Sequence, residues 1–202
     1  MILREGTNDA TSMVQDLEEY NALPVYPGDT VLDIGGHIGL FALKMYALGA
    51  SRVISVEPEP NNVEVHRQNL RDYRQHLLIE AACIGENLPS TTLYVNNGRN
   101  KGRHSVQYFN NSRPITVATV EFSRLIQLAP FDVLKVDCEG AEYGFDWAEL
   151  LIQGAKFRSV AVEYHNLPNR EWEEIDGVLK CLKLKRTYFT QQDRSYKLAV
   201  YT

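Results

Sequence analysis

Residues 30–61 read TVLDIGGHIGLFALKMYALGASRVISVEPEPN, and the order of residue types in that stretch decides the fold. Thr30 to Ile34 is a short apolar run closed by Asp33 and its neighbour, which predicts a buried strand. Gly35, Gly36 and Gly39 follow at once. Ile38 to Leu48 is a helical run stopped by Gly49, a helix-ending glycine. Arg52 to Glu57 is a second strand, closed by another acid, and Pro60 opens a helix to about Leu70, since proline suits a first turn. Strand, glycine turn, helix, strand, helix is the start of an alternating α/β fold.

The same alternation continues outward. Leu77 to Ile84 reads as a third strand, and Thr91 to Val95 and Ile115 to Val120 as strands flanking a polar loop, Asn96 to Arg113. Val133 to Asp137 is another strand, followed by a helix near Phe145 to Leu151. Ser159 to Glu163 is one more, and Asn169 to Leu182 an amphipathic helix. The tail carries strands at Leu184 to Thr190 and Tyr196 to Tyr201. Their connection, Gln191 to Ser195, is too short for a crossover helix, so this pair must be antiparallel. On the other side, Ser12 to Tyr20 reads as a helix with Met13, Leu17 and Tyr20 on one face, and Pro24 to Asp29 as a turn. The expectation is a Rossmann-like doubly wound, mostly parallel sheet with a terminal antiparallel strand, residues 30–202, preceded by an N-terminal arm and helix, residues 1–29.

With 202 residues, one domain is expected. The 44% apolar content supports a real core and opposes disorder. A net charge of −5 opposes nucleic acid as a partner, because such proteins carry a basic surplus. The three cysteines, Cys83, Cys138 and Cys181, lack zinc spacing and fit a reducing compartment. No apolar run is long enough for a signal core or a bilayer span, so a cytoplasmic protein without membrane partners is expected.

In open α/β sheets the ligand lies beyond the carboxyl ends of the strands. Asp33, Glu57, Ala82, Asp137 and Glu163 fall at such ends. Glycines after Asp33 let the chain turn and a ligand approach the backbone. Glu57 stands where a carboxylate accepts from both hydroxyls of a ribose. A dinucleotide would want glycine where His37 stands, and its pyrophosphate would lie against Asp33. S-adenosylmethionine carries a ribose diol, an ammonium and a sulfonium but no phosphate. Asp33, Gly35, Gly36, His37, Gly39, Glu57, Pro58, Ala82 and Asp137 are its candidate binding residues.

A second stretch, Phe131 to Tyr143, reads FDVLKVDCEGAEY. With VLDIGGHIGLF, VEPEPNN and REGTND at Arg4 to Asp9, it resembles the FkbM-type family of S-adenosylmethionine-dependent methyltransferases over nearly the whole chain. LKVDCEGAEY is the specific part; the first motif is shared by most methyltransferases. The family commonly has Ala-Asn after the first glycine, where this chain has Gly36-His37. The resemblance implies a doubly wound sheet with a terminal antiparallel strand, and O-methylation of a small molecule or sugar in many members.

Methyl transfer from a sulfonium needs an aligned acceptor and, for a hydroxyl, a base. Asp137, Glu163 and His165 are the catalytic candidates, His165 because its intrinsic pKa suits a base at neutral pH. Glu139 and Glu142 read as a loop acid and a first-turn acid. The Asn96 to Arg113 loop reads as solvated, with His104 as the residue that could reach over the site. A divalent metal is possible, with Asp137, Glu139, Glu163 and His165 as hard ligands, but no ligand spacing fixes one and none is expected. RNA methylation and a nucleotide-binding module without catalysis are the alternatives to a small-molecule or glycan acceptor.

Overall fold

The computed structural model describes residues 1–192 and 196–202. Helix α1 (Asp9–Glu19) passes through a 3₁₀ turn, Tyr20–Ala22, to strand β1 (Thr30–Ile34). Then follow α2 (Leu40–Ala47), β2 (Arg52–Val56) and α3 (Pro60–Leu70). The middle of the chain supplies β3 (Leu77–Ile79), β4 (Ala82–Ile84), β5 (Ser90–Asn96), β6 (Ser112–Glu121) and the short α4 (Phe122–Leu125). The last third supplies β7 (Val133–Val136), a 3₁₀ turn at Ala141–Gly144, α5 (Ala148–Ile152), β8 (Ser159–His165), α6 (Trp172–Cys181), β9 (Arg186–Gln192) and β10 (Tyr196–Tyr201).

Seven strands form one sheet in the order β3-β2-β1-β7-β8-β10-β9. Neighbours from β3 to β8 are parallel, and β10 runs antiparallel to both β8 and β9. The expected reversed strand is therefore present. The side chains of Met13 and Leu17, and residues 193–195 of the polar connection, lie outside the described residues.

Successive residues of each central strand point to opposite faces, and both faces are covered, as a parallel sheet requires. Leu32, Ile34, Leu134, Val136, Val160 and Val162 pack toward Phe122, Phe145 and Trp147 on one side. Val31, Val53, Val133, Ala161 and Val200 pack toward Tyr20, Phe41 and Met45 on the other.

The strand expected over Leu77 to Ile84 is broken in two. After β3 the chain turns tightly, with the Ala81 N–H donating to the Ile79 carbonyl at 3.1 Å. The continuation, β4, leaves the main sheet and pairs with β6 in a three-stranded sheet, β4-β6-β5. Ala82 thus opens a strand of the small sheet instead of closing one of the large sheet. Strand β8 runs two residues further than expected, so His165 is its last residue and not part of the following loop. Among the described residues no helix is long and apolar enough to cross a membrane.

Candidate active site

The ends of β1, β2, β7 and β8 open into one cavity. Gly35, Gly36, His37, Glu57, Pro58, Ala82, Asp137 and Glu163 line it, together with Glu19, Tyr20, His104, Lys135, Glu139 and Tyr196. The chain reaches this geometry because of Gly35. Its φ of +87° suits glycine, and a Cβ there would sit 1.6 Å from the Asp137 carbonyl oxygen. The turns after β1 and β7 touch backbone to backbone, so no side chain fits between them. Gly39 does not line the cavity; it precedes α2, where a Cβ would sit 2.4 Å from Leu70 of α3.

Glu57 is buried in the wall. Its Oε1 accepts from the Glu59 N–H at 2.9 Å and from Asn62 Nδ2 at 3.2 Å, and its Oε2 accepts from the His37 N–H at 2.9 Å. A carboxylate accepts about four bonds, so Oε2 keeps capacity for a hydroxyl. Burial raises the Glu57 pKa to about 7, against these donors. Glu59 next to it caps α3, accepting from the Asn62 N–H at 2.8 Å.

Asp33 lies beneath the cavity floor and is fully buried. It accepts from Ser55 Oγ at 2.9 Å and pairs with Lys135 Nζ at 3.2 Å. Lys135 in turn donates to the Gly35 carbonyl at 2.6 Å and lies 3.4 Å from Asp137 Oδ2. Asp33 therefore touches the cavity only through the lysine that ties the glycine turn to Asp137. His37 also differs from expectation: its ring faces the N-terminal arm, with Nε2 3.1 Å from Arg4 Nη2 and 4.0 Å from Asp9 Oδ1.

At the far end of the cavity, β7 and β8 bring Asp137, Glu163 and His165 together, with one ligating atom of each within 4.8 Å of the others. These three could hold a cation. Glu163 accepts from the Tyr20 hydroxyl at 2.8 Å, and burial, with the Asp137 charge, pushes its pKa well up. His165 is not a free base. Its Nδ1 lies 3.2 Å from Glu142 Oε1, its Nε2 3.4 Å from Glu139 and 3.9 Å from Asp137. Burial opposes the charged ring, yet these acids outweigh it and push the pKa to about 10. The ring is an imidazolium at neutral pH, a correction to its expected role. Glu142 is likewise no exposed first-turn acid: it is fully buried and accepts from the N–H groups of Gly140 and His165. Glu139 has a φ of +53° and lines the cavity, its pKa raised to about 7, mainly by burial.

Several lining residues escaped the sequence reading. Glu19 ends α1, Tyr20 opens the 3₁₀ turn after it, and Tyr196, which donates to Glu19 at 2.8 Å, begins β10. Only the long-range pairing of β10 beside β8 brings Tyr196 there, a fact no local pattern carries. His104, in the loop expected to be solvated, is 8% exposed.

The lining holds five carboxylates, Glu19, Glu57, Asp137, Glu139 and Glu163, against one ammonium, Lys135. The carboxyl groups that stay ionised disfavour a pyrophosphate there, even with the pKa of Glu57, Glu139 and Glu163 raised by burial. A ligand with hydroxyls and positive charge fits, which is the chemistry of an adenosyl sulfonium.

Comparison with known proteins agrees. The chain is 14% identical to Aeropyrum pernix fibrillarin, whose structure holds natively bound S-adenosyl-L-methionine, over 96% of this chain and 74% of that one, with a TM-score of 0.55. It is 10% identical to a precorrin-6Y C5,15-methyltransferase from Geobacter metallireducens over 100% and 93% of the two chains, with a TM-score of 0.56. These likenesses show the fold. Ribosomal protein L11 methyltransferase of Pelobacter propionicus is 35% identical over 72 residues, 35% of this chain and 23% of that protein. The Thermotoga maritima protein of the same name is 40% identical over 53 residues, 26% and 20%. The chain thus matches less than a quarter of the length of these curated relatives. Residues 33–197 match the methyltransferase FkbM domain, and the chain belongs to that family of S-adenosylmethionine-dependent methyltransferases.

Proposed function

We propose that this chain transfers a methyl group from S-adenosylmethionine to a hydroxyl of a small molecule or sugar. The observation that carries the reading is a second cleft, of about 680 Å³, that adjoins the first through Glu139, Glu163 and Tyr196. Its size falls in the range of small-molecule sites. Its walls offer Arg103, Gln107 and Asn166 for hydrogen bonds, and Tyr108 and Phe109 for stacking on an apolar face. That mixture of polar groups and rings suits a polyhydroxylated acceptor.

Bound S-adenosylmethionine supplies an activated methyl group on a sulfonium. The chain's own residues then have three tasks. Glu57, the glycine turn at Gly35 and Gly36, His37, Pro58 and Ala82 line the part of the cavity that would hold the nucleoside. Asp137, steadied by Lys135, and Glu163, steadied by Tyr20, orient the acceptor at the junction. Glu139 takes the hydroxyl proton, because it lines both clefts and its pKa of about 7 suits a base at neutral pH. His165, held as an imidazolium, keeps Glu139 and Asp137 close together without closing the cleft.

The test is a screen with isotopically labelled methyl donor against sugars, phenols, structured RNA and ribosomal protein extracts. Label entering a hydroxyl of a small acceptor, lost in Glu139→Gln with cofactor affinity retained, is the expected result. Label entering only RNA or only protein would overturn the acceptor class. A protein acceptor is the outcome that the names of the matched relatives suggest for themselves; the net charge of −5 opposes RNA.

A further inference from the structure

His104 sits on the loop between β5 and β6, and its surroundings leave it one orientation. Its Nδ1 accepts from the Asn96 N–H at 3.0 Å. The next residue, Ser105, exchanges backbone hydrogen bonds with Tyr94 at 2.8 and 3.2 Å, and its Oγ donates to the Glu139 carbonyl at 2.5 Å. These three bonds hold the loop against the cavity. Because Nδ1 accepts, a neutral ring must carry its proton on Nε2. The ring is neutral: burial pushes its pKa down to about 4 against the opposing charge of Glu59, and the cations Lys101, Arg4 and Arg113 act in the same direction as burial.

Among the described residues the Nε2–H has no hydrogen-bond partner, although it is buried from solvent and the ring lines the cavity. A buried donor left unmade is costly, so such groups are normally satisfied. The His104 ring is part of the wall of the cavity. Which part of a ligand it would meet follows from the neighbours. The acid that acts most on His104 is Glu59, in the turn that also carries Glu57. Leu93, Val106, Ala82 and Cys83 give the same cavity an apolar side.

We propose that His104 is a cofactor-recognition residue: its Nε2–H donates to an acceptor on the adenosine half of S-adenosylmethionine, a purine ring nitrogen or a ribose oxygen. The β5–β6 loop then becomes part of the nucleoside subsite and not a solvated connection. The inference rests on the cofactor and is independent of the acceptor's identity.

The probe is S-adenosylhomocysteine, added to the whole protein. In wild type, nitrogen-15 spectra of the His104 ring are expected to show the Nε2–H tautomer in the free protein. On saturation the Nε2 resonance should move downfield and its proton should exchange more slowly. By calorimetry, His104→Phe, which keeps the bulk and loses the donor, should bind about tenfold more weakly, and His104→Gln, which restores a donor, within about threefold of wild type. Analogues with carbon in place of N1, N3 or N7 separate the sources. One that weakens wild type but not His104→Phe marks that nitrogen as the partner; parallel losses in both proteins for all three mark a ribose oxygen. Unchanged His104 resonances at saturation, or wild-type affinity in a folded His104→Phe, would overturn the assignment. A wild type that does not bind S-adenosylhomocysteine at all would instead remove the cofactor.

Discussion

At the scale of single residues, the site depends on buried charges that hold each other. Lys135 is nearly inaccessible and is shared by Asp33, Asp137 and the Gly35 carbonyl. Removing it leaves the buried Asp33 carboxyl with the Ser55 hydroxyl but without its cation. Lys135→Met should therefore lower unfolding free energy by about 3–5 kcal/mol in urea titrations, and adding Asp33→Asn should recover part of that loss. Glu57 gives a pH signature. Its folded-state pKa of about 7 means the ionised form, which best accepts ribose hydroxyls, gains population from pH 6 to pH 8. Affinity for S-adenosylhomocysteine should rise over that window in wild type and stay flat in Glu57→Gln. For His165 the sign runs the other way from a depressed acid. Its pKa rises from 6.5 unfolded to about 10 folded, so the folded state holds the proton more tightly. Its contribution is complete below pH 6.5 and is lost as pH climbs through 10. The melting-temperature gap between wild type and His165→Gln should shrink over that range; a gap that widens would remove the imidazolium assignment.

At the scale of elements, the N-terminal segment acts as a latch. Arg4 donates to Asp9 and to Asn62 of α3, and the Asn8 N–H and side chain bind the backbone of Arg99 and Lys101 in the β5–β6 loop. Asn62 closes the circuit by donating to the Lys101 carbonyl at 3.2 Å. Asp9→Ala breaks the arm's fully buried anchor. Trypsin should then cut faster within residues 97–111, and affinity for S-adenosylhomocysteine should fall by about tenfold. Elements of this kind divide what a sequence tells from what it hides. β1, α3 and β10 could be bounded correctly from local pattern, because a buried strand and a proline-started helix each carry their own signal. The break after β3 could not, since both halves are apolar and only their partners differ. That the glycine turn, Glu57, Asp137 and Glu163 lie at strand ends around one cavity was visible in the sequence. The roles of Glu142, Tyr20 and Tyr196 were not, because each is defined by a partner more than twenty residues away. His104 was misjudged because its loop is polar in composition while the residue itself points inward.

At the scale of the whole molecule, the ligand-binding face is assembled from nearly every part of the chain, from Asn8 to Tyr196. Occupancy should therefore stabilise the fold as a unit. At a concentration 100 times its dissociation constant, S-adenosylhomocysteine should add about 2.7 kcal/mol to stability. That should appear in calorimetry as a single, higher melting transition, while NADH leaves the transition where it was.

The position of β10 has a consequence for how the chain matures. The strand nearest the C-terminus is threaded between β8 and β9 and does not sit at the rim of the sheet. During synthesis β9 is therefore made with no neighbour to pair with, and the flank of β8 stays open until Tyr201 has left the ribosome. A released chain truncated before Tyr196 would leave the apolar flank of β8 bare and β9 without its partner strand, so it should engage chaperones more than the full chain does.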